Sequence, residues 1–157
     1  MGNRCSTRTR STVIKDRVCE WFATCCYTGY LPLAPGTWAS VLTCIILYFI
    51  PSFNHPAVII LLTVFAVFAI EPVRGKEADP GYIVIDELIG MLVATVGHDL
   101  TTWNLVKTFI LFRAFDILKP YPIKKVERLA GAYGIIADDV LAGICASGVL
   151  FIWGRLA

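Results

Sequence analysis

Charged residues are scarce in this chain: they make up 17% of its 157 residues, whereas hydrophobic residues make up 57%. A soluble globular domain carries about 25% charged and about 45–50% apolar residues. The shortage of charge excludes an intrinsically disordered chain, a coiled coil and a nucleic-acid-binding tail, since each of these is rich in charged side chains. The composition therefore predicts a membrane protein, and the length predicts a single domain over residues 1–157.

Several motifs of phosphate-handling enzymes are also missing. No Arg follows any of the six cysteines at the spacing of a cysteine-based phosphatase, and there is no D-x-D-x-T sequence. The chain lacks the Arg-Pro and Ser-Gly-His sequences of vanadium-type lipid phosphatases, the CDP-alcohol transferase motif and a glycine-rich P-loop. The cysteines have no metal-binding spacing, and His55 and His98 fall in short loops, so we expect reduced thiols and surface histidines.

Five apolar stretches follow a basic and amphipathic N-terminal segment, residues 1–28. They are Trp38–Ile50, Ala57–Ile70, Tyr82–Val96, Trp103–Leu118 and Ile135–Trp153. Helix is the expected state because it satisfies the backbone in lipid. Prolines fall between the stretches, where helix ends are expected: Pro51, Pro56, Pro72, Pro80 and Pro120.

The pattern predicts an all-α fold, a small polytopic membrane bundle of four or five membrane helices. Several stretches are shorter than the roughly 20 residues that cross a bilayer, so they would tilt, thin the bilayer or penetrate it partly. Residues Thr12–Tyr27 mix apolar and charged side chains. This segment is expected to form an amphipathic helix that either lies on the membrane surface or packs against the bundle.

The basic residues are unevenly distributed. Twelve of the 14 Lys and Arg residues lie in the N-terminal segment, in the loop after the second stretch, and at the end of the fourth stretch together with the connector that follows it. If the chain crosses the membrane at every stretch, these three regions lie on one side, which the positive-inside bias makes cytoplasmic.

Acidic residues interrupt three positions of the apolar pattern. They are Asp86, Glu87, Asp116, Asp138 and Asp139. Each charge within a membrane span costs at least about 2.5–3.5 kcal/mol, and the predicted topology places all five at one depth beneath the cytoplasmic interface. Nearby cations such as Arg113 and Lys119 are too few to balance them, and a divalent cation would do so. Oxygen ligands without Cys or His indicate Mg²⁺; the alternative is a set of salt bridges and helix caps.

A metal at headgroup level suits phosphate chemistry, because Mg²⁺ bridges phosphate oxygens and can activate a water. Arg113, Lys119 and Lys124 could hold the remaining charge of a phosphate. The segment Pro35–Thr37 opens the first stretch in the same layer, where its N–H groups could receive an anion or form a plain turn. Asp79 could cap the third helix or take part in catalysis.

Small residues predict which helices approach closely. Gly90 and Ala94 are four apart in the third stretch, and Ala142 and Ala146 are four apart in the fifth, with Gly143 alongside. This spacing permits tight packing in lipid and would bring the two acidic stretches together.

Four blocks of sequence occur in order along about three quarters of the chain: Gly29–Trp38, Asp79–Gly90, Phe112–Ile123 and Gly134–Gly143. Together they resemble the phosphatidylglycerophosphatase A family of bacterial membrane lipid phosphatases. The resemblance implies a Mg²⁺-dependent hydrolase of the bacterial inner membrane that converts phosphatidylglycerophosphate to phosphatidylglycerol and phosphate on the cytoplasmic side. It makes Asp86, Glu87, Asp116, Asp138 and Asp139 the metal and catalytic acids.

Within this hypothesis, the predicted phosphate-binding residues are Lys119, Arg113, Thr37 and Lys124. Either a metal-activated water attacks phosphorus, or a covalent phospho-Asp forms. Two rivals belong to other classes: a small membrane cation transporter or channel subunit with the acids as its cation site, and a transferase that uses a lipid phosphate. The expected partners are the lipid substrate and the bilayer, with no nucleic acid, and the oligomeric state is left open.

Overall fold

The computed structural model describes residues 10–75, 77, 80–127, 129 and 131–156, and every regular element in these ranges is helical. The α-helices are α1 (Arg10–Ala23), α2 (Pro35–Phe49), α3 (Pro56–Arg74), α4 (Ile85–Thr95), α5 (Thr102–Leu118), α6 (Ile123–Val126) and α7 (Ala132–Leu156). Short 3₁₀ turns at Thr28–Tyr30 and Pro51–Asn54 follow α1 and α2. The all-α prediction is confirmed. Residues 1–9 of the basic segment and Asp79, a predicted cap, lie outside the described residues.

Local sequence sets the helix starts. Pro35 and Pro56 begin α2 and α3, where a missing N–H costs nothing. The Thr101 hydroxyl accepts a hydrogen bond from the N–H of Asn104 and caps α5. Pro72 departs from the expectation, because α3 continues through it to Arg74. Its ring removes the hydrogen bond to the carbonyl four residues earlier, the helix ends two residues after it, and an Arg74–Glu71 ion pair of 2.7 Å closes the last turn.

Within the described residues, α3 and α7 are the helices long and apolar enough to cross a membrane. The prediction of four or five membrane helices is therefore not confirmed. The third apolar stretch yields only the 11-residue α4, which at 1.5 Å per residue is about 16 Å long, roughly half the hydrocarbon thickness. Nine of its 11 residues are buried, so α4 packs against other helices and not against lipid.

Two glycines bring α4 and α7 together. A Cβ atom at Gly90 would lie 2.7 Å from the carbonyl oxygen of Asp139, and one at Gly143 would overlap the carbonyl oxygen of Gly90. The helix backbones therefore touch, as the small-residue spacing predicts. This crossing places the first turn of α4 beside Asp139.

The two ends of the bundle differ in composition. At one end, which we call the acidic end, the first turns of α2 and α4 meet the end of α5, since Gly36 lies against Glu87 and Arg113. At the opposite end, the Asn54 amide donates to the Thr95 carbonyl at 3.0 Å. The loops expected on the far side of the membrane, 51–56 and 97–102, therefore meet the far end of α4.

The amphipathic helix α1 packs against α3. Three of its apolar side chains, Ile14, Val18 and Trp21, are nevertheless exposed, and their spacing places them on one helical face. The helix was predicted either to lie on the membrane surface or to pack against the bundle. One of its faces packs against the bundle, and another exposes an apolar stripe.

Candidate active site

Three carboxylates converge at the acidic end. Asp86 and Glu87 lie in the first turn of α4, and Asp139 faces them from α7. Each offers an oxygen atom such that these atoms all lie within 4.8 Å of one another. Asp86 and Asp139 are buried, at 6% and 3% exposure, and Glu87 is half-buried. The α4–α7 contact through Gly90 and Gly143 fixes this arrangement.

This trio fits a hard divalent cation. Opposite oxygen ligands of an octahedral Mg²⁺ lie about 4 Å apart, close to the spread of the three oxygens. The Oε2 atom of Glu87 is buried and has no hydrogen-bond partner among the described residues. Buried carboxylates repel each other unless a proton or cation lies between them, so these oxygen ligands could hold a divalent cation, and Mg²⁺ stays a prediction.

Asp116 joins the trio from α5. Its carboxylate lies within hydrogen-bonding reach of Asp139 and pairs with the Arg113 guanidinium, Oδ2 to Nη1, at 2.5 Å. The Nε atom of Arg113 is also buried and has no hydrogen-bond partner among the described residues. A buried guanidinium with an unused donor beside a carboxylate cluster can receive a phosphate oxygen.

Asp138 turns away from the trio toward Lys119. Its Oδ2 atom accepts a hydrogen bond from the Lys119 Nζ atom at 2.7 Å, and its Oδ1 atom accepts from the Asp139 N–H at 3.1 Å. The five predicted acids therefore come together, but they divide into an inner trio and two acids that are paired with cations.

The Lys119 side chain is directed toward α7, although its spacing of three residues from Asp116 would place the two on one face of a continued helix. The helix α5 ends at Leu118, and Lys119 adopts a left-handed conformation with φ 40°. Its side chain consequently leaves the α5 face and reaches α7, while Arg113 pairs with Asp116.

Glu127 is a residue of this region that sequence analysis missed. It follows α6, and its Oε1 atom accepts a hydrogen bond from Lys119 Nζ at 2.9 Å. Burial lowers the pKa of Lys119, but its hydrogen bonds to Asp138 and Glu127 outweigh this and raise the pKa above its usual value. Lys119 is thus held as a cation. The sequence signal that could have revealed Glu127 is that it is an acidic residue within an otherwise basic connector.

The start of α2 receives a carboxylate. Gly36 lies against Glu87 so closely that a Cβ atom would overlap its Oε1 atom. Of the two alternatives for this segment, an anion site or a plain turn, the structure places an anionic group of the protein itself, the Glu87 carboxylate, at the helix start. Thr37 is half-buried in the same turn. Lys124 is exposed on α6, and no contact among the described residues joins it to the acids.

Comparison with known proteins identifies relatives. The family model of phosphatidylglycerophosphatase A matches residues 21–153. A Bacteroides thetaiotaomicron protein with the provisional name phosphatidylinositol-3-phosphatase is 37% identical over 131 residues, 74% of this chain and 81% of that protein. The phosphatidylglycerophosphatase A of Escherichia coli is 31% identical over 135 residues, 82% of this chain and 78% of that protein. The Haemophilus influenzae enzyme of the same name is 33% identical over 132 residues, 79% of this chain and 81% of that protein. No solved structure matches the chain.

Proposed function

The chain belongs to the phosphatidylglycerophosphatase A family, whose members are phosphoric monoester hydrolases, and from this premise we propose that it removes the terminal phosphate of phosphatidylglycerophosphate to leave phosphatidylglycerol. One observation carries the proposal: the carboxylates of Asp86, Glu87 and Asp139 converge beside the buried guanidinium of Arg113. Phosphoryl transfer depends mainly on positioning and on positive charge around the phosphate. A cation-binding trio next to a guanidinium supplies both.

We further propose that Asp86, Glu87 and Asp139 hold Mg²⁺. When bound, Mg²⁺ supplies Lewis-acid stabilisation of the charge on the phosphoryl oxygens. Two observations support this assignment. The three residues offer only oxygen ligands, and one oxygen of each lies within 4.8 Å of the other two. The Oε2 atom of Glu87 is also buried and has no hydrogen-bond partner among the described residues.

The remaining residues have distinct roles in the proposal. Arg113 binds the phosphate through its unused Nε donor. Hydrolysis requires a group that accepts a proton from water and returns one to the leaving oxygen. Asp116, which lies outside the trio and within hydrogen-bonding reach of Asp139, is the carboxylate that can take this proton. Lys119 offsets the negative charge of Asp138 beside the site.

The proposed location is the inner membrane of a bacterium, with several membrane passes and the acidic end at the cytoplasmic leaflet. The apolar lengths of α3 and α7 support a membrane protein. Basic residues such as Arg74, Lys119 and Lys124 lie near the acidic end, as the positive-inside bias expects for the cytoplasmic side. The cation-transporter alternative is not adopted, because it requires acids along a path to the far side.

A second substrate has a specific observation in its favour. The relative from Bacteroides thetaiotaomicron is named for a phosphatidylinositol 3-phosphate activity. Phosphatidylinositol 3-phosphate and phosphatidylglycerophosphate are both lipid phosphomonoesters, so the same metal and guanidinium chemistry applies to either. The choice between them depends on how the site accommodates glycerol or inositol.

Phosphate release from purified full-length protein tests the proposal. The substrates are phosphatidylglycerophosphate, phosphatidylinositol 3-phosphate and phosphatidic acid in mixed micelles, each with Mg²⁺ and with a chelator. We expect phosphatidylglycerophosphate to be turned over fastest, and only with Mg²⁺. Fastest turnover of the inositol lipid would replace the proposed substrate, and full activity with the chelator would refute the metal assignment. Oxygen-18 water in a single turnover distinguishes direct attack by water from a phospho-Asp.

A further inference from the structure

An apolar groove separates α2 from α5 outside the acidic cluster. Five side chains of α2 between Val41 and Phe49, and four of α5 between Thr102 and Phe109, line a volume of about 290 Å³. Leu105 on its wall is 5% exposed, whereas Ile45 and Val106 are 50% and 43% exposed. The groove thus has a buried side and half-exposed apolar rims, through which a chain can enter sideways from lipid.

The groove continues the active site along the same two helices. Gly36 at the start of α2 lies beside Arg113 near the end of α5. Five residues further along α2 and four residues back along α5, Val41 and Phe109 begin the groove. The two helices therefore run antiparallel in a constant register from the guanidinium into the groove.

The depth of the groove matches one lipid leaflet. At 1.5 Å per residue, it begins about 7 Å from the level of Gly36 and ends, at Phe49, about 20 Å from it. The hydrocarbon region of one leaflet is about 15 Å thick, half of the bilayer core. A lipid whose phosphate reaches Arg113 has its acyl chains in this range of depth.

We propose that the α2–α5 groove binds one acyl chain of the lipid substrate while its phosphomonoester lies at the acidic cluster. This inference rests on the proposed function and adds a hydrophobic subsite to it. The chain lies between α2 and α5, and the headgroup reaches the acids past the Gly36–Arg113 contact. Selection of a two-chain lipid over a water-soluble phosphomonoester then comes from this groove.

A second apolar groove provides a matched control. It lies on another side of α2, where Leu42 and Ile46 face Leu62 of α3 and Leu88 of α4, and it is closed by α1 side chains. Its walls do not include α5, which carries Arg113. Val41→Trp fills the proposed groove, and Ile46→Trp places the same ring in the second groove from the same helix.

The first experiment compares kcat/KM for dipalmitoyl phosphatidylglycerophosphate with that for the same headgroup on glycerol without acyl chains. Val41→Trp is expected to lower the ratio of the two values about tenfold, mainly through KM of the two-chain lipid, because the lost contact is to the chain. Ile46→Trp is expected to leave the ratio within about twofold of wild type. Equal ratios in all three proteins, or a fall only in Ile46→Trp, would overturn the proposal.

The second experiment needs no variant. Wild-type protein in phosphatidylcholine vesicles is photolabelled with phosphatidylglycerophosphate that carries a diazirine in mid-chain, and with phosphatidylcholine that carries the same chain. We expect the first lipid to label residues 41–49 and 102–109 more strongly than the second does. Equal labelling by both lipids, or labelling centred on the second groove, would overturn the proposal.

The results distinguish a failure of the proposed phosphatase function from a failure of the proposed acyl-chain groove. If the wild-type protein releases phosphate neither from phosphatidylglycerophosphate nor from its analogue without acyl chains, the proposed function fails. Photolabelling still reports whether the groove holds the acyl chain. If it releases phosphate but the variant ratios and the labelling pattern do not change as expected, the proposed function stands and the acyl subsite is wrong.

Discussion

Gly36 and Glu87 are in direct contact across the junction of α2 and α4. A Cβ atom at position 36 would overlap the Oε1 atom of Glu87 and would lie 3.2 Å from the Nη1 atom of Arg113. The first turn of α2 carries unpaired N–H groups and partial positive charge, which stabilise a carboxylate. One glycine therefore sets the distance between the proposed metal-binding and phosphate-binding residues.

Gly36→Ala is expected to displace Glu87 or Arg113 and to reduce phosphate release about 100-fold, because a shift of about 1 Å at a reacting centre has this effect. The thermal midpoint should fall modestly. Gly148→Ala on α7 is the control, since nothing lies within 4 Å of its added Cβ atom. Unchanged activity in Gly36→Ala would show that the contact is not part of the site.

Asp139→Asn is expected to abolish activity and, without metal, to leave the melting temperature at or above that of the wild-type protein, because an amide carries no charge that the neighbouring carboxylates could repel. Mg²⁺ should stabilise the wild-type protein by about 2.7 kcal/mol at 100 times its dissociation constant. The variant should gain much less. Asp99→Asn at the opposite end serves as control, and a Mg²⁺ shift retained in Asp139→Asn would contradict the ligand assignment.

Lys119→Met should destabilise the protein by about 1–3 kcal/mol, because Asp138, buried at 7% exposure of its side chain, loses its cation. Phosphate release should fall as well. Glu127→Gln changes the more exposed partner of the same lysine, at 43% exposure, and should cost less than about 1 kcal/mol. Chemical denaturation in detergent measures both, and equal losses in the two variants would contradict the unequal roles.

Tyr30→Phe tests a contact outside the membrane helices. The Tyr30 hydroxyl donates to Glu20 Oε1 at 2.7 Å, and this hydrogen bond raises the pKa of Tyr30 to about 12. A raised pKa contributes stability that is complete below the unfolded-state value near 10 and is lost as the pH rises through about 12. The melting temperature of the wild-type protein should therefore exceed that of the variant at pH 8. At a pH above 12 the two melting temperatures should be equal. Tyr133→Phe, at an exposed site, is the control.

The acids could be located from sequence because their positions depend on periodicity and on helix direction. Apolar stretches in alternating directions place Asp86, Asp116 and Asp139 at one end whether or not each stretch crosses the membrane. The packing of Gly90 against Gly143 could also be predicted from sequence, since small residues at a spacing of four are typical of membrane helices that pack closely.

Other features depend on tertiary contacts that the pattern does not encode. The apolar residues of α4 suit a membrane span as well as a buried helix, and only its length of 11 residues and its neighbours decide between them. The left-handed conformation of Lys119 redirects its side chain to α7. Sequence analysis missed Glu127 because its contact with Lys119 depends on that change of direction. The prediction that Pro72 lies between helices was wrong, because α3 continues two residues beyond it to Arg74.

The enclosure of α4 has a consequence for biogenesis. A segment of 11 residues with two acids in its first turn is too short and too polar to partition into the bilayer by itself. The longer flanking helices α3 and α7 can insert first, and α4 enters the space that they and α2 create. Asp86 and Glu87 would then reach Asp139 of α7 late in assembly, after the surrounding protein has replaced lipid around them.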